Sequence, residues 1–156
     1  MALSGRNGWV GRILGLDVGE RRIGVAISDP DRRLAVPLRV LECRDRKADT
    51  QTIIELAEAE GAEALVVGHP ITLAGGKSPQ TRLVEEFAER LAKATTLPVE
   101  LWDERLTSVQ AGRGPARPKS RRAKSKRRPR VSNDDLAAAL ILQGYLDRRR
   151  ANAPTP

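Results

Sequence analysis

Three places in this chain put carboxylates where carboxylates are costly. Asp17 lies in LGLDVGERRIG, inside a short aliphatic run. If that run is a strand, Leu16 and Val18 point to the face opposite Asp17, so the acid is not simply the solvated half of a loop. Desolvating a lone carboxylate is expensive, and the usual remedies are hydrogen bonds or a cation. Asp103-Glu104-Arg105 closes a second run, LPVELWDERLT. Consecutive strand residues alternate faces, so only one of these two acids shares a side with Asp17, and Arg105 can pair with the other. Asp134 and Asp135 open a long apolar helix pattern. Asp135 is the better cap and Asp134 the better ligand, because Ala138, Ile141 and Tyr145 follow on the side of Asp134. Each acid also has a bland reading: a hairpin closure, a surface ion pair, an answer to the helix dipole.

Gathered without a counter-charge, three carboxylates from separate elements would repel one another. A divalent cation removes that repulsion and brings chemistry with it. It binds a phosphodiester, lowers the pKa of a water and stabilises a departing oxygen. The rest of the composition narrows which cation. One cysteine, Cys43, excludes a disulfide framework and a Cys-based zinc site. One histidine, His69, excludes a His-rich site and most Ser-His-Asp chemistry, unless His69 itself serves. The donors are therefore oxygens, which suits Mg²⁺ or Mn²⁺.

The charge of the chain is lopsided. Its net charge is +8, yet Ala111–Arg130 holds ten cations and no acid: Arg113, Arg117, Lys119, Arg121, Arg122, Lys124, Lys126, Arg127, Arg128 and Arg130. Without them 18 basic residues face 20 acidic ones, a net of −2. A block of like charge can be a solvated loop with no partner. So many cations together favour phosphate contact through counterion release, and we expect them to bind nucleic acid.

These residues need elements to hold them. With 156 residues, the chain suffices for one α/β domain, and with 40% apolar but only 3% aromatic residues its core must be aliphatic. RILGLDVG (12–19) and RRIGVAISD (21–29) read as a β-hairpin, and LAVPLRVLECR (34–44) as a third strand whose Pro37 suits an edge. A helix should start near Asp49 or Thr50 and stop at Gly61. AEALVVGHP (62–70) is a buried strand, Ser78-Pro79 opens a second helix, and 97–107 is strand five. Ser132 begins the last helix. The order β-β-β-α-β-α-β-α predicts a five-stranded mixed sheet, three antiparallel strands followed by βα units, flanked by helices. We expect residues 1–11 to be a flexible lead-in, 12–150 one domain with a disordered basic loop at 112–130, and 151–156 a flexible tail. No run resembles a signal peptide or a membrane span, so a cytoplasmic protein with no membrane partner is expected.

The motifs LGLDVGERRIGVAISD, VVGHPITLAGG, DERLT and DDLAAALILQGYLD resemble, in order, those of the YqgF family, also called RuvX. The resemblance spans roughly residues 12–147. It implies a ribonuclease H-like fold, a divalent-metal nuclease site, and activity on Holliday-junction DNA or on the 5′ end of pre-16S rRNA. Partners would be structured RNA, pre-ribosomal RNA or branched DNA, and members are often homodimers. Carried over position by position, the resemblance makes Asp17, Glu104 and Asp134 the catalytic and metal-binding acids. Gly68 and Pro70 match its G-x-P, while His69 stands where Leu is usual and Thr72-Leu73 where an asparagine is common.

Two rivals remain at this level. The Asp-x-Gly hairpin also resembles the phosphate-binding hairpin of actin-like kinases, which need two such domains to enclose a nucleotide. The other rival is a non-catalytic nucleic-acid or ribosome-binding module that relies on the basic loop alone.

Overall fold

Five aliphatic runs form five strands: β1 (Arg12–Val18), β2 (Arg22–Ser28), β3 (Ala35–Glu42), β4 (Ala62–His69) and β5 (Val99–Asp103). Three helices accompany them: α1 (Arg46–Glu60), α2 (Pro79–Ala94) and α3 (Asn133–Asn152). The computed structural model describes residues 11–72, 74–106 and 133–152, without the side chains of 133–135 and 152. The expected lead-in up to residue 10, the basic segment 112–130, the Ser132 cap and the tail from 153 lie outside the described residues.

The sheet order is β3-β2-β1-β4-β5. β1 pairs antiparallel with β2, and β2 with β3. β1 pairs parallel with β4, and β4 with β5, as expected for a meander followed by βα crossovers. Pro37 does lie on an edge strand. Gly19 N–H donates to Arg22 O at 2.9 Å and closes the first hairpin tightly.

Two boundaries differ from expectation, each because of one aspartate. α1 starts at Arg46 rather than near Asp49, because Asp45 is the cap, its Oδ1 accepting from Ala48 N–H at 2.8 Å. Asp49 is instead buried in the first turn and accepts from Arg44 N–H at 3.0 Å. β5 stops at Asp103, and residues 104–106 are helical rather than extended. Asp103 Oδ1 accepts from Arg105 N–H at 2.9 Å and turns the chain there. α2 follows the sequence more closely, with Ser78 and Thr81 forming a reciprocal capping box and Pro79 in the first turn.

A separate core fills each face of the sheet. Leu14, Leu16, Val18, Ile23, Val25, Leu65 and Val67 pack against Ile53, Leu56, Val84, Phe87 and Leu91 of α1 and α2. On the other face the sheet offers smaller residues, Ala26, Ala64 and Val66 with Ile13, and α3 covers them with Ala138, Ala139, Leu142, Tyr145 and Leu146. Among the described residues, no helix is long and apolar enough to cross a membrane.

Candidate active site

Glycine sets how closely α3 lies on its face. A Cβ on Gly15 would come within 2.8 Å of Leu142 Cβ, and one on Gly68 within 2.6 Å of Ile141 Cδ1. Real Cβ atoms do not approach that closely, so Gly15, which faces the root of Leu142, must be bare for the helix to seat, whereas at Gly68 the flexible ends of Ile141 and Glu104 would have to shift. Close approach at Gly15 thus serves the protein's own helix. Each buried aliphatic side chain that α3 contributes there is worth roughly 1.5–3 kcal/mol, which fixes the helix firmly over the sheet.

Asp17 falls on this same face, half-buried and opposite Gly24 of β2. Glu104 arrives from the far side of the sheet. Once Asp103 has ended β5, the chain turns, and Glu104 lies over Gly68, so that a Cβ there would stand 2.6 Å from its Oε2. The bare backbone of β4 therefore makes the space that Glu104 fills. Gly68 was legible only as part of a motif. A glycine interrupting the apolar run ALVV is the signal that something comes close there.

The two acids feel one another. The Glu104 carboxyl is pushed up to about 7, by burial first, then by the negative charge of Asp17, then by that of Asp103. Asp103 takes the other role. Arg105 holds it with a forked contact, Nε at 3.1 Å from both carboxylate oxygens and Nη2 at 2.8 Å from Oδ2, which keeps its carboxyl below the usual range. Arg105 also reaches Thr72 O at 3.4 Å and ties the end of β5 to the loop after β4.

His69 engages α2 rather than the Asp17–Glu104 pair. It ends β4 beside Asp103, and its Nε2 meets Glu85 Oε2 of α2 at 2.7 Å, where Lys77 also binds Glu85 at 3.2 Å. Asp134 lies in the first turn of α3, and its side chain is outside the described residues. Ala138, Ile141 and Tyr145, one, two and three turns further on, are buried. The ten cations from Arg113 to Arg130 also lie outside the described residues. Among the described residues, no three acidic, His or Cys side chains converge as a metal-binding group. The structure brings Asp17 and Glu104 together and leaves Asp103 with Arg105.

Comparison with known proteins gives the family and agrees with the fold. Residues 11–148 match the model of a family described as "RuvX: Holliday junction resolvase". A protein of Chloroflexus aurantiacus named "Putative pre-16S rRNA nuclease" is 45% identical over 140 residues, covering 90% of this chain and 89% of the relative. One of the same name from Moorella thermoacetica is 45% identical over 141 residues, covering 90% and 98%. Among solved structures, Thermus thermophilus RuvC in complex with a Holliday junction superposes with a TM-score of 0.58 at 17% identity, covering 90% of this chain and 96% of that one. At that identity the likeness speaks for the fold alone.

Proposed function

The chain belongs to the RuvX family, and on that premise we propose that it is a divalent-metal-dependent nuclease acting on the 5′ end of pre-16S rRNA. A four-way DNA junction, the substrate in the family's description, is the second substrate to test. One observation carries the mechanism. Asp17 stands on β1 and Glu104 in the helical turn that follows β5, and they are held close enough that the first raises the proton affinity of the second. A fold that needed these groups only for structure would be more stable with one of them neutral, as with other clustered like charges.

The donor set fits a hard cation, since both groups offer only oxygen. We assign the metal to Asp17, Glu104 and Asp134, the last standing in the first turn of the helix that covers their face. When bound, Mg²⁺ or Mn²⁺ supplies Lewis acidity and an activated water at the scissile phosphate. The remaining work falls to this chain's own residues. Asp103 and Arg105 hold the turn that aims Glu104, and Gly68 leaves room beneath it. The cations of 111–130 grip the phosphate backbone beside the site, as an arm of one nuclease domain spanning 12–150. The cytoplasm, where ribosomal RNA is made in bacteria, is its expected place.

The test is parallel cleavage of a pre-16S RNA end and a four-way junction by the wild type and by Asp17→Asn, with Mg²⁺ and with chelator. The reading predicts metal-dependent cleavage of the RNA that Asp17→Asn abolishes while the protein stays folded. Cleavage at wild-type rates in the variant, or in chelator, would overturn it.

A further inference from the structure

The end of α3 far from the acids carries a second cationic surface. The turn joining β2 to β3, residues 29–34, docks on the C-terminal third of the helix. Ala35 N–H donates to Gln143 Oε1 at 2.9 Å, while Arg33 O accepts from Gln143 Nε2 at 2.9 Å and from Arg150 Nη1 at 3.4 Å. The turn is also fixed from within. Asp29 Oδ1 accepts from the N–H groups of Arg33 and Leu34 at 2.8 and 3.1 Å, and Arg32 N–H donates to Asp29 O at 2.9 Å. Arg32 itself has a φ of 56°, a left-handed conformation that side chains disfavour.

That backbone brings Arg32 towards Arg149, and partial burial first, then the like charge of Arg149, holds the Arg32 guanidinium below its usual range. Arg149 stands 5.7 Å from the centre of the Tyr145 ring and donates to its hydroxyl at 3.3 Å, and that hydroxyl donates in turn to Glu100. Arg33, Arg148, Arg149 and Arg150 are exposed. Five arginines thus gather against Asp29, Asp31 and Asp147. Asp29 is turned onto backbone N–H groups, and Asp147 holds Arg150 and Gln143. The helix dipole accounts for arginines at a helix C-terminus. It does not account for Arg32 and Arg33, which another element brings there in a constrained turn.

We propose that the Arg32–Arg33 turn and Arg148–Arg150 form a second contact for the phosphate backbone, gripping an arm of the nucleic acid away from the cleavage site. The inference rests on the nuclease reading above. Because β2 runs antiparallel to β1, its terminal turn lies at the end of the sheet opposite Asp17. Along α3, the fifteen residues from Asp134 to Arg149 span about 22 Å, at roughly 1.5 Å per residue. That equals about six or seven steps of B-form DNA at roughly 3.4 Å each, and a little more of A-form RNA, whose steps are shorter, so only an arm at least this long reaches both ends. Tyr145 is buried with Arg149 over its ring, so it offers no open face to a base, and the contact made by the arginines reads charge and shape rather than sequence.

Binding in chelator, with no cleavage, tests this. Labelled RNA hairpins with stems of about four and about sixteen base pairs, one shorter and one longer than the proposed span, are titrated across a salt series. The proteins are the wild type, Arg32→Ser/Arg149→Ser, Arg33→Ser/Arg148→Ser and the charge-keeping Arg32→Lys/Arg149→Lys. The Arg33/Arg148 exchange keeps the backbone bonds of Arg33 to the helix and leaves Tyr145 alone, so it reports on charge if the first variant unfolds. For the long stem, each Ser variant should bind about five- to twentyfold more weakly, with a salt slope reduced by about two units. The short stem should bind as it does to the wild type, and the Lys variant should match the wild type on both. Unchanged binding of the long stem, or an equal loss on both stems, overturns the second contact and leaves the patch to some other partner. If the wild type binds neither stem, it is the nuclease reading that fails.

Discussion

The two faces of the sheet are built to different ends. Under α1 and α2 the strands present Leu14, Leu16, Val18, Val25, Leu65 and Val67, all fully buried and large. Under α3 the same strands present Gly15, Ala26, Ala64 and Gly68, with Asp17 and Glu104 at one end. The first face gains stability from volume. The second gives volume up, and the space lets a helix sit close and two carboxylates share a site. A single strand does both, since alternate residues of β1 and β4 serve opposite faces.

The comparison breaks if the faces can be exchanged. Leu65→Ala, on the packed face, should lower stability by about 2–5 kcal/mol in chemical denaturation while leaving the cleavage rate per folded molecule within a few-fold of wild type. Gly68→Ala should do the reverse. Its Cβ meets the flexible ends of Glu104 and Ile141, which can give way, so stability should fall by only about 1–2 kcal/mol. Moving Glu104 by a fraction of an ångström to an ångström should cost about a hundredfold in cleavage. Similar profiles for the two variants would erase the distinction between the faces.

Within the site, Glu104→Gln should cut cleavage by about a hundredfold or more, and Asp103→Asn by about tenfold, because Asn can still accept from Arg105 N–H and hold the turn. The opposite ranking would put Asp103 on the face of Asp17. Glu104 should also mark the pH dependence of metal-free stability. Its carboxyl titrates near 7 when folded and near 4.5 when free, so the folded state holds the extra proton. Stability from this group is therefore present below pH 4.5 and lost as pH rises to about 7. Glu104→Gln should accordingly stabilise the metal-free protein by about 1–2 kcal/mol at pH 8, after allowance for solvent screening, and hardly at all at pH 4.5. Thermal melts in chelator at the two pH values check this, and an increment independent of pH would contradict it.

The smallest effect on the fold is expected from the basic segment. Serine at Arg121, Arg122, Lys124, Lys126, Arg127 and Arg128 should leave the melting temperature within a degree or so, since charged side chains contribute little to an apolar core. It should weaken nucleic-acid binding and flatten its salt dependence by up to about one unit for each phosphate the segment no longer holds. An unchanged slope would return the segment to a solvated charge run.

Much of this was legible in the residues. The mixed sheet, with its antiparallel start and parallel continuation, followed from short links between the first three apolar runs and helical patterns between the later ones, and Asp17 stood out because an apolar strand has no ordinary use for it. Less legible was where elements stop. The sequence pointed to Asp49 or Thr50 as the start of α1, but short-range bonds give the cap to Asp45, which accepts from Ala48 N–H, and turn Asp49 back onto Arg44 N–H. The choice between Asp103 and Glu104 could not be made by counting along a strand, because the strand ends between them. Gly15 and Gly68 were visible, but their reason lies in α3, more than sixty residues away.

The central claim is that the carboxylates on the glycine-lined face hold a divalent cation. Calorimetric titration of Mn²⁺ into the full chain at pH 8 tests it most directly, with the wild type, Asp17→Asn and Glu104→Gln side by side. The account predicts a saturable binding heat for the wild type that is lost or weakened at least about tenfold in both variants, with their folds intact by circular dichroism. Binding of Mn²⁺ by both variants as tightly as by the wild type would contradict it.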